Sequence, residues 1–254
     1  MCYFYRIKKI YTSWKICGNP RKSVSNKFRM NKEYSSINNL NSSDPLRYYA
    51  PHVVPFLLLA VCIYLGPLLN LPKILLYPLQ TVLVAGSLIF YWKAIKQKIK
   101  FSFDVPVILA GVFVFFIWIF SENLYPQIGN SDYNPYQLAS GSVVYLLMAI
   151  RLIGATLIIP LAEELFWRSF ALRLLIKSEF KSVPLGKFSW FSFIVASIAF
   201  GFEHHRWLPG IVAGMVYAGV LYRSKNLFAP ILAHAVTNLL LGIYVILTQQ
   251  WQYW

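Results

Sequence analysis

Two adjacent carboxylates stand inside a long apolar stretch of the chain. Residues 162–170 read AEELFWRSF, between VVYLLMAIRLIGATLIIPL on one side and ALRLLI on the other. An ionised side chain at the centre of a bilayer costs at least about 2.5–3.5 kcal/mol. Glu163 and Glu164 therefore form either a structural ion pair between helices or a reaction centre, and the cost favours a functional role.

Helical spacing separates the two glutamates. Glu164 precedes Arg168 by four positions, so the two share one face with the acid on the favourable N-terminal side. Glu163 is rotated from that face by about 100°. We therefore expect Glu164 to be paired with Arg168. Glu163 is left as the free carboxylate that could act as a general base.

Histidine and asparagine supply further candidates on two other apolar segments. His204 ends the segment SIAFGFEHHRW, and His205 follows it directly. His234 and Asn238 lie four apart in APILAHAVTNLLLG, on one helical face. A single buried histidine is more often a core residue than a catalyst, but polar groups on three apolar segments favour a shared site. His52, at the edge of the first helix, is interpreted as an interfacial residue.

The elements that must position these residues are apolar helices. Of 254 residues, 57% are hydrophobic and 13% charged, and the mean hydropathy is +0.53. Soluble domains are about 45–50% apolar and about 25% charged. The composition predicts an all-α polytopic membrane protein with seven or eight transmembrane helices. The apolar blocks are 53–71, 74–92, 105–120, 143–176, 188–202, 207–222 and 227–247.

One block is too long for a single straight crossing. Residues 143–176 would extend about 50 Å as a helix, and Pro160 is expected to kink or break it. The blocks also place Glu163 and His204 near opposite ends of their segments. If the two meet, one segment must be bent, tilted or re-entrant, with Pro160 and Gly201 as the expected places.

Basic residues set the orientation. The segment before residue 53 is strongly basic and the loop 93–100 carries four lysines, whereas the loop 121–142 has no Lys or Arg and contains Glu122 and Asp132. The distribution predicts a cytoplasmic N-terminus. The net charge of +15 is then explained by topology and contact with membrane lipid, and no nucleic-acid motif accompanies it.

The domain organisation has two parts. Residues 1–50 form a basic segment that is interpreted as disordered or as a mis-extended start, and it lacks the apolar core of a signal peptide. Residues 51–254 form the transmembrane domain. Cys2, Cys17 and Cys62 show no metal-ligand spacing and indicate no disulfide framework.

Three motifs resemble one protease family. Glu163–Arg168 (EELFWR) matches EExxxR, Phe200–His204 (FGFEH) matches FxxxH, and His234–Asn238 (HAVTN) matches HxxxN. In this order they resemble the CAAX prenyl endopeptidase and bacteriocin-processing (ABI, CPBP) family of intramembrane proteases, over about 143–242. The ending QQWQYW is similar to the exosortase-associated bacterial CAAX prenyl protease-related subgroup.

The resemblance implies an all-helical endopeptidase of a bacterial inner membrane. It would cleave a lipid-modified or membrane-anchored peptide or protein; a prenylated protein, a sorting-tail protein and a peptide precursor all fit. The implied roles are water activation by Glu163 and His204, oxyanion stabilisation by His234 and Asn238, and support from Glu164 and Arg168. The chain departs from the family at Ser169, where glycine is frequent, and at Glu203, where a small or apolar residue is usual. Glu203 is interpreted as a second acid or an interfacial group.

Zinc is the alternative to metal-free catalysis. Glu163, His204 and His234 could bind it, but no HExxH places two histidines and a base on one helix. The spacing therefore favours a glutamate-dependent hydrolase with no cofactor.

Two functions outside hydrolysis remain open from the sequence. One is a non-catalytic membrane scaffold or immunity protein of the same fold. The other is a proton-coupled transporter with a Glu and His relay, although neither internal repeats nor paired broken helices support it.

Two further patterns concern packing. Gly210, Gly214 and Ala218 predict a seam for close helix contact. Tryptophans near segment ends are interpreted as interfacial anchors, namely Trp92, Trp207, Trp251 and Trp254.

Overall fold

The structure, a computed structural model, describes residues 45–129 and 133–254, and their regular secondary structure is helical. These ranges contain no β-strand, which confirms the all-α prediction for them. The chain divides into two units, Met1–Tyr49 and Ala50–Trp254. The predictions for residues 1–44, with Cys2 and Cys17, and for Asp132 lie outside the described residues.

The helices follow one another along the chain, with the longest connections before Pro135 and before Trp190. The α-helices are α1 Pro45–Leu68, α2 Lys73–Phe90, α3 Trp92–Ile95, α4 Val105–Phe120, α5 Pro135–Leu138, α6 Ser142–Ile153, α7 Ile159–Phe166, α8 Leu172–Leu174, α9 Trp190–Phe202, α10 Trp207–Ser224 and α11 Phe228–Thr248. Two π-helical segments are Gly154–Ile158 (first π segment) and Trp167–Ala171 (second π segment). Short 3₁₀ turns cover Lys96–Lys98, Phe180–Ser182 and Trp251–Tyr253.

Four helical stretches are long and apolar enough to cross a membrane. They are Tyr48–Gly66, Lys73–Phe90, Ser142–Leu174 and Phe228–Thr248. The predicted number of seven or eight crossings is not confirmed. Helices α4 and α9 have 16 and 13 residues, which rise about 24 Å and 20 Å, against a hydrocarbon core of about 30 Å. An apolar block in the sequence is therefore not sufficient to predict a helix that spans the membrane.

The stretch Ser142–Leu174 remains helical past Pro160. Of the two outcomes expected of this proline, a kink or a break, the break does not occur, since the stretch forms one helical run of 33 residues. A proline ring clashes with the carbonyl of the residue four positions earlier, here Thr156. Thr156 lies in the first π segment, where the wider turn accommodates the ring. The first π segment therefore lies just before the proline, and the helix continues beyond it.

Close contact between α9 and α10 follows the predicted glycine seam. A Cβ added to Gly210 would lie 2.9 Å from the Cα of Gly201, and one added to Gly214 would lie 2.9 Å from the Cα of Ser197. Gly201 therefore serves close packing, and α9 continues past it to Phe202 without interruption. The turn between the two helices carries Glu203 and His204.

Two residues interpreted as interfacial lie inside the protein. His52 is 2% exposed, and its Nε2 lies 2.5 Å from Lys98 Nζ. Trp254 is 7% exposed because the 3₁₀ turn Trp251–Tyr253 directs it inward. Large apolar side chains instead remain exposed along the helices, including Phe90 and Phe120, as expected where lipid surrounds a protein.

Candidate active site

The structure brings four of the predicted site residues to one cavity of about 230 Å³. Glu163 enters from α7, His204 from the turn after α9, and His234 and Asn238 from α11. Glu164 and Arg168, assigned a supporting role, lie behind the cavity wall with fully buried side chains. The polar residues singled out on three apolar segments therefore line one cavity.

Glu164 and Arg168 form a buried ion pair. Arg168 Nε lies 2.9 Å from Glu164 Oε2, with both side chains 0% exposed. The guanidinium carbon also lies 4.7 Å from the centre of the Phe200 ring, where a cation–π contact adds stabilisation. The pairing expected from the four-residue spacing is therefore present, and the first glutamate is left free of it.

His234 lies between the two glutamates, which the sequence did not indicate. Its Nδ1 is 3.1 Å from Glu164 Oε1, and its Nε2 is 3.9 Å from Glu163 Oε2. An ionised carboxylate only accepts, so Nδ1–H donates to Glu164. The ring also stacks on Tyr217 at 4.9 Å between centroids. The chain of contacts from Arg168 through Glu164 fixes the ring so that Nε2 faces Glu163.

His204 presents one ring nitrogen to the cavity. Its Nδ1 lies 2.8 Å from the carbonyl oxygen of Phe200, and a carbonyl only accepts, so the proton sits on Nδ1. Nε2 of the neutral ring is then an acceptor. His205 Nδ1 instead contacts the carbonyl of Ile128 at 2.7 Å, away from the residues that line the cavity. The geometry therefore favours His204 over His205.

Glu203 lies beside Glu163 and His204, with a side chain that is 19% exposed. Trp167 Nε1 donates to Glu203 Oε2 at 2.9 Å, and Oε1 is buried without a hydrogen-bond partner among the described residues. One ligand atom from each of Glu163, Glu203 and His204 lies within 4.8 Å of the others. In the described part of the chain this is the group suited to a metal ion, and it contains Glu203 in place of His234.

Asn238 is oriented by the first π segment. Its Nδ2 donates to the carbonyl oxygen of Ala155 at 2.8 Å. An i→i+5 turn disturbs the regular helical hydrogen bonds, and such turns are frequent at functional sites. The amide carries two N–H groups, so one remains for a ligand in the cavity.

A polar network behind His234 escaped prediction. Tyr217 donates through its hydroxyl to Thr237 Oγ1 at 2.8 Å, and Thr237 Oγ1 donates to the carbonyl of Gly111 at 2.8 Å. Gly111 permits this approach, because a Cβ there would lie 2.3 Å from the carbonyl of Ala233. The one signal in the sequence for this network was proximity to residues already singled out. Thr237 directly precedes Asn238, and Tyr217 follows Gly214 by three residues on α10.

Outside the spans, Glu122 and Arg206 form a partly buried pair. Arg206 Nε and Nη2 donate to the two carboxylate oxygens of Glu122, each at 2.7 Å. These hydrogen bonds lower the pKa of Glu122 below its ordinary value. The pair joins the turn before α10 to the loop after α4.

Comparisons with known proteins agree with the motifs. Residues 145–240 match the family model described as "Type II CAAX prenyl endopeptidase Rce1-like". None of the curated proteins and none of the solved structures compared with the chain matches it. The matched segment contains all three motifs, which confirms the resemblance found in the sequence. With the four candidate spans, it supports an integral membrane protease at the level of the family. Residues 145–240 are therefore similar to the type II CAAX prenyl endopeptidase Rce1-like family.

Proposed function

We propose that the protein is an intramembrane endopeptidase and that the cavity lined by Glu163, His204, His234 and Asn238 is its active site. One observation carries the proposal: polar groups from three separate segments meet in this cavity, and Glu163 Oε2 has no hydrogen-bond partner among the described residues. A carboxylate that lines a cavity and accepts no hydrogen bond through one oxygen is available to act as a general base.

Water activation falls to Glu163 and His204. A water between them donates one proton to the Glu163 carboxylate and one hydrogen bond to His204 Nε2, which is available because Nδ1–H is donated to Phe200. The water oxygen then attacks the carbonyl carbon of the scissile peptide bond. Glu163 keeps the proton until the tetrahedral intermediate collapses.

Oxyanion stabilisation falls to His234 and Asn238. In this role His234 carries both ring protons, with Nδ1–H donated to Glu164 and Nε2–H to the oxyanion. The N–H of Asn238 that Ala155 does not use donates alongside it. Fixed donors in a site without bulk water stabilise a developing charge strongly. When the C–N bond breaks, Glu163 returns its proton to the amine, and the products are a carboxylic acid and an amine.

The substrate is a peptide or protein held near the membrane. Apolar side chains line the cavity beside the polar ones, among them Leu59, Ile63 and Leu241. A lipid-modified or membrane-anchored segment fits such a wall. The basic loops support a cytoplasmic N-terminus, and the motif resemblance supports our proposal of a bacterial inner membrane.

Catalysis without metal is the favoured mechanism, with zinc as the alternative. Glu163, Glu203 and His204 are close enough to share an ion, and zinc accepts both carboxylate and imidazole ligands. In that case zinc would lower the pKa of a bound water. The metal-free assignment leaves Glu163 and His204 free to contact the water directly.

The experiment compares Glu163→Gln with Glu179→Gln in membranes that hold the full chain. The peptides released from the membrane fraction are identified by mass spectrometry. We expect Glu163→Gln to lower the rate of release by about 10²–10⁴-fold, the contribution usual for a general base. Glu179, whose side chain is 74% exposed, is the matched control and should leave release unchanged. Unchanged release in Glu163→Gln would refute the assignment, and a role as scaffold or immunity protein would then explain the fold.

A further inference from the structure

The cavity has a second charged group that the proposed mechanism leaves unused. Arg151 on α6 lines the same cavity as Glu163 and His234 and is half-buried. Among the described residues no carboxylate pairs with its guanidinium, and none accepts a hydrogen bond from it. A cation in such a place requires compensation, because charges inside membrane segments are paired or face a polar cavity.

Aromatic rings supply part of that compensation. The guanidinium carbon of Arg151 lies 4.4 Å from the ring centre of Tyr77, 4.2 Å from that of Tyr133 and 5.7 Å from that of Trp254. Tyr77 also donates through its hydroxyl to the Arg151 carbonyl at 3.2 Å, which fixes the position of the helix beside it. Ring faces attract a cation but accept no conventional hydrogen bond from its N–H groups. Within 45–129 and 133–254, therefore, no residue occupies the five N–H donors of the guanidinium, which can bind a ligand.

The first π segment brings Arg151 to the face that carries Glu163. The two residues are twelve positions apart. In an uninterrupted α-helix each position rotates the side chain by about 100°, so twelve positions add to about 1200°, and the two side chains would point about 120° apart around the helix axis. The π segment Gly154–Ile158 lies between them and holds one additional residue in a turn. The rotation between the two residues then corresponds to about eleven α-helical positions, or about 1100°. Their side chains therefore point about 20° apart around the helix axis.

The same count gives the separation along the helix. Three turns correspond to about 16 Å, so Arg151 and Glu163 cannot pair with each other. An extended peptide advances about 3.3–3.6 Å per residue. Since both side chains extend into the cavity, a peptide cleaved near Glu163 would reach Arg151 with a group about three to five residues from the scissile bond.

We infer that Arg151 and its aromatic rings form a subsite for a carboxylate of the peptide substrate. A planar guanidinium matches a carboxylate in two parallel hydrogen bonds, and the subsite lies on the cavity of the proposed protease, on which this inference rests. The carboxylate has two possible sources: the free C-terminus of the substrate and an acidic side chain. In either case Arg151 determines where the peptide is placed relative to Glu163.

The experiment measures binding and does not require cleavage. The full chain carrying Glu163→Gln is reconstituted in lipid nanodiscs, and three probes are titrated: acetyl-Leu-Leu-Leu-Leu with a free carboxylate, the same peptide as its C-terminal amide, and the amide of acetyl-Leu-Leu-Glu-Leu. We expect the free carboxylate or the glutamate peptide to bind about tenfold to a hundredfold more tightly than the uncharged amide. The carboxylate peptide that binds more tightly identifies the source.

Variants test the residue. Arg151→Gln should bring the acid and the amide to within about twofold of each other, and Arg151→Lys should restore part of the preference, because the charge is kept while the planar fork is lost. Arg223→Gln is the matched control, since that arginine is 67% exposed and lies outside the cavity. Equal binding of all three probes to Glu163→Gln overturns the inference even if an Arg151 variant fails to fold. A preference that survives in Arg151→Gln overturns it as well.

Binding and cleavage can fail independently. If Glu163→Gln leaves peptide release unchanged, the proposed protease is wrong, whereas the binding comparison still reports on the subsite. If release depends on Glu163 but no probe is preferred, only the carboxylate subsite is wrong.

Discussion

Two arginines on one helical stretch are compensated in opposite ways. Arg168 is fully buried and pairs with Glu164 at 2.9 Å, whereas Arg151 is half-buried beside three aromatic rings with no acid among the described residues. At Arg168 the fold pairs the charge with an acid, although Nη1 and Nη2 donate no hydrogen bond to a described residue, whereas at Arg151 no described acid pairs with the charge. A charge satisfied within the fold supports the structure, and one left open is available to a ligand.

A third arginine shows complete pairing outside the spans. Arg206 donates to both oxygens of Glu122 and to the Gln252 carbonyl, and its guanidinium lies over the Tyr253 ring at 4.4 Å. The contact with a ring is thus shared by Arg206 and Arg151. What distinguishes Arg151 is the absence of an acceptor in the described part of the chain.

The largest effect on stability is expected from breaking the paired charge. Arg168→Met or Glu164→Gln should each lower the free energy of unfolding by about 3–5 kcal/mol, because each leaves a buried charge unpaired. Glu164→Gln should also lower activity, since His234 loses its acceptor. Arg151→Met should cost less than about 2 kcal/mol, the upper part of the range for a cation–π contact.

Thermal unfolding monitored by size-exclusion fluorescence provides the measurement. Glu163→Gln is the control, with folded yield near that of the wild type. Equal losses for Arg151→Met and Arg168→Met would remove the distinction between the two arginines. Equal losses for Glu163→Gln and Glu164→Gln would remove the distinction between the two glutamates.

A smaller effect should follow from removing the donor to Glu203. Trp167→Phe keeps an aromatic ring but deletes the N–H that contacts Glu203 Oε2. An unsatisfied buried polar group costs about 1–3 kcal/mol, and we expect a loss in that range by the same unfolding assay. Trp190→Phe, at a tryptophan that is 69% exposed, is the control. A loss no greater than that of the control would mean that Glu203 does not depend on this hydrogen bond.

The Glu122–Arg206 pair should give a weaker, pH-dependent contribution. Hydrogen bonding by Arg206 lowers the pKa of Glu122 from its ordinary value of 4.5. The stabilisation is therefore fully present above the ordinary pKa and is lost as the pH falls through the lowered one. For a partly exposed pair we expect about 1 kcal/mol or less. The stability of wild type and Glu122→Gln should converge as the pH is lowered from 6 to 3, and a constant difference would contradict the assignment.

The smallest effect is expected from removing metal. Prolonged chelation should change the rate of peptide release by less than about twofold if Glu163 and His204 act on water directly. Elemental analysis should find far less than one zinc per chain. Activity that is lost on chelation and restored by zinc alone would establish Glu163, Glu203 and His204 as ligands, a set whose atoms already lie within 4.8 Å of one another.

Much of the candidate site was predictable because helical geometry is local. The spacing of four between Glu164 and Arg168 predicted their contact, and the same spacing placed His234 and Asn238 on one face. The position of His234 between the two glutamates was not predictable. The distance from His234 to the glutamates depends on how α11 packs against α7. The spacing of residues along a single helix does not predict a distance between two helices.

Membrane crossings were predicted less well for a related reason. Hydropathy counts apolar residues along the chain, but a crossing depends on the length of the helix that they form. Helix α9 has 13 residues and its apolar block, 188–202, has 15, so both are shorter than the about 20 residues that a crossing requires. The end of that helix also sets the position of Glu203, which the sequence left between two interpretations.

By itself the sequence predicted the all-helical architecture of the described residues, the resemblance to a CAAX prenyl endopeptidase family whose model matches residues 145–240, and the separate roles expected of Glu163 and Glu164. These follow from composition, motif order and spacing along single helices. Only the tertiary structure decided that His234 joins both glutamates and that Arg151 shares the cavity with Glu163. The physical reason is that a π-helical turn and contacts between helices set rotation and distance, which a linear pattern does not encode.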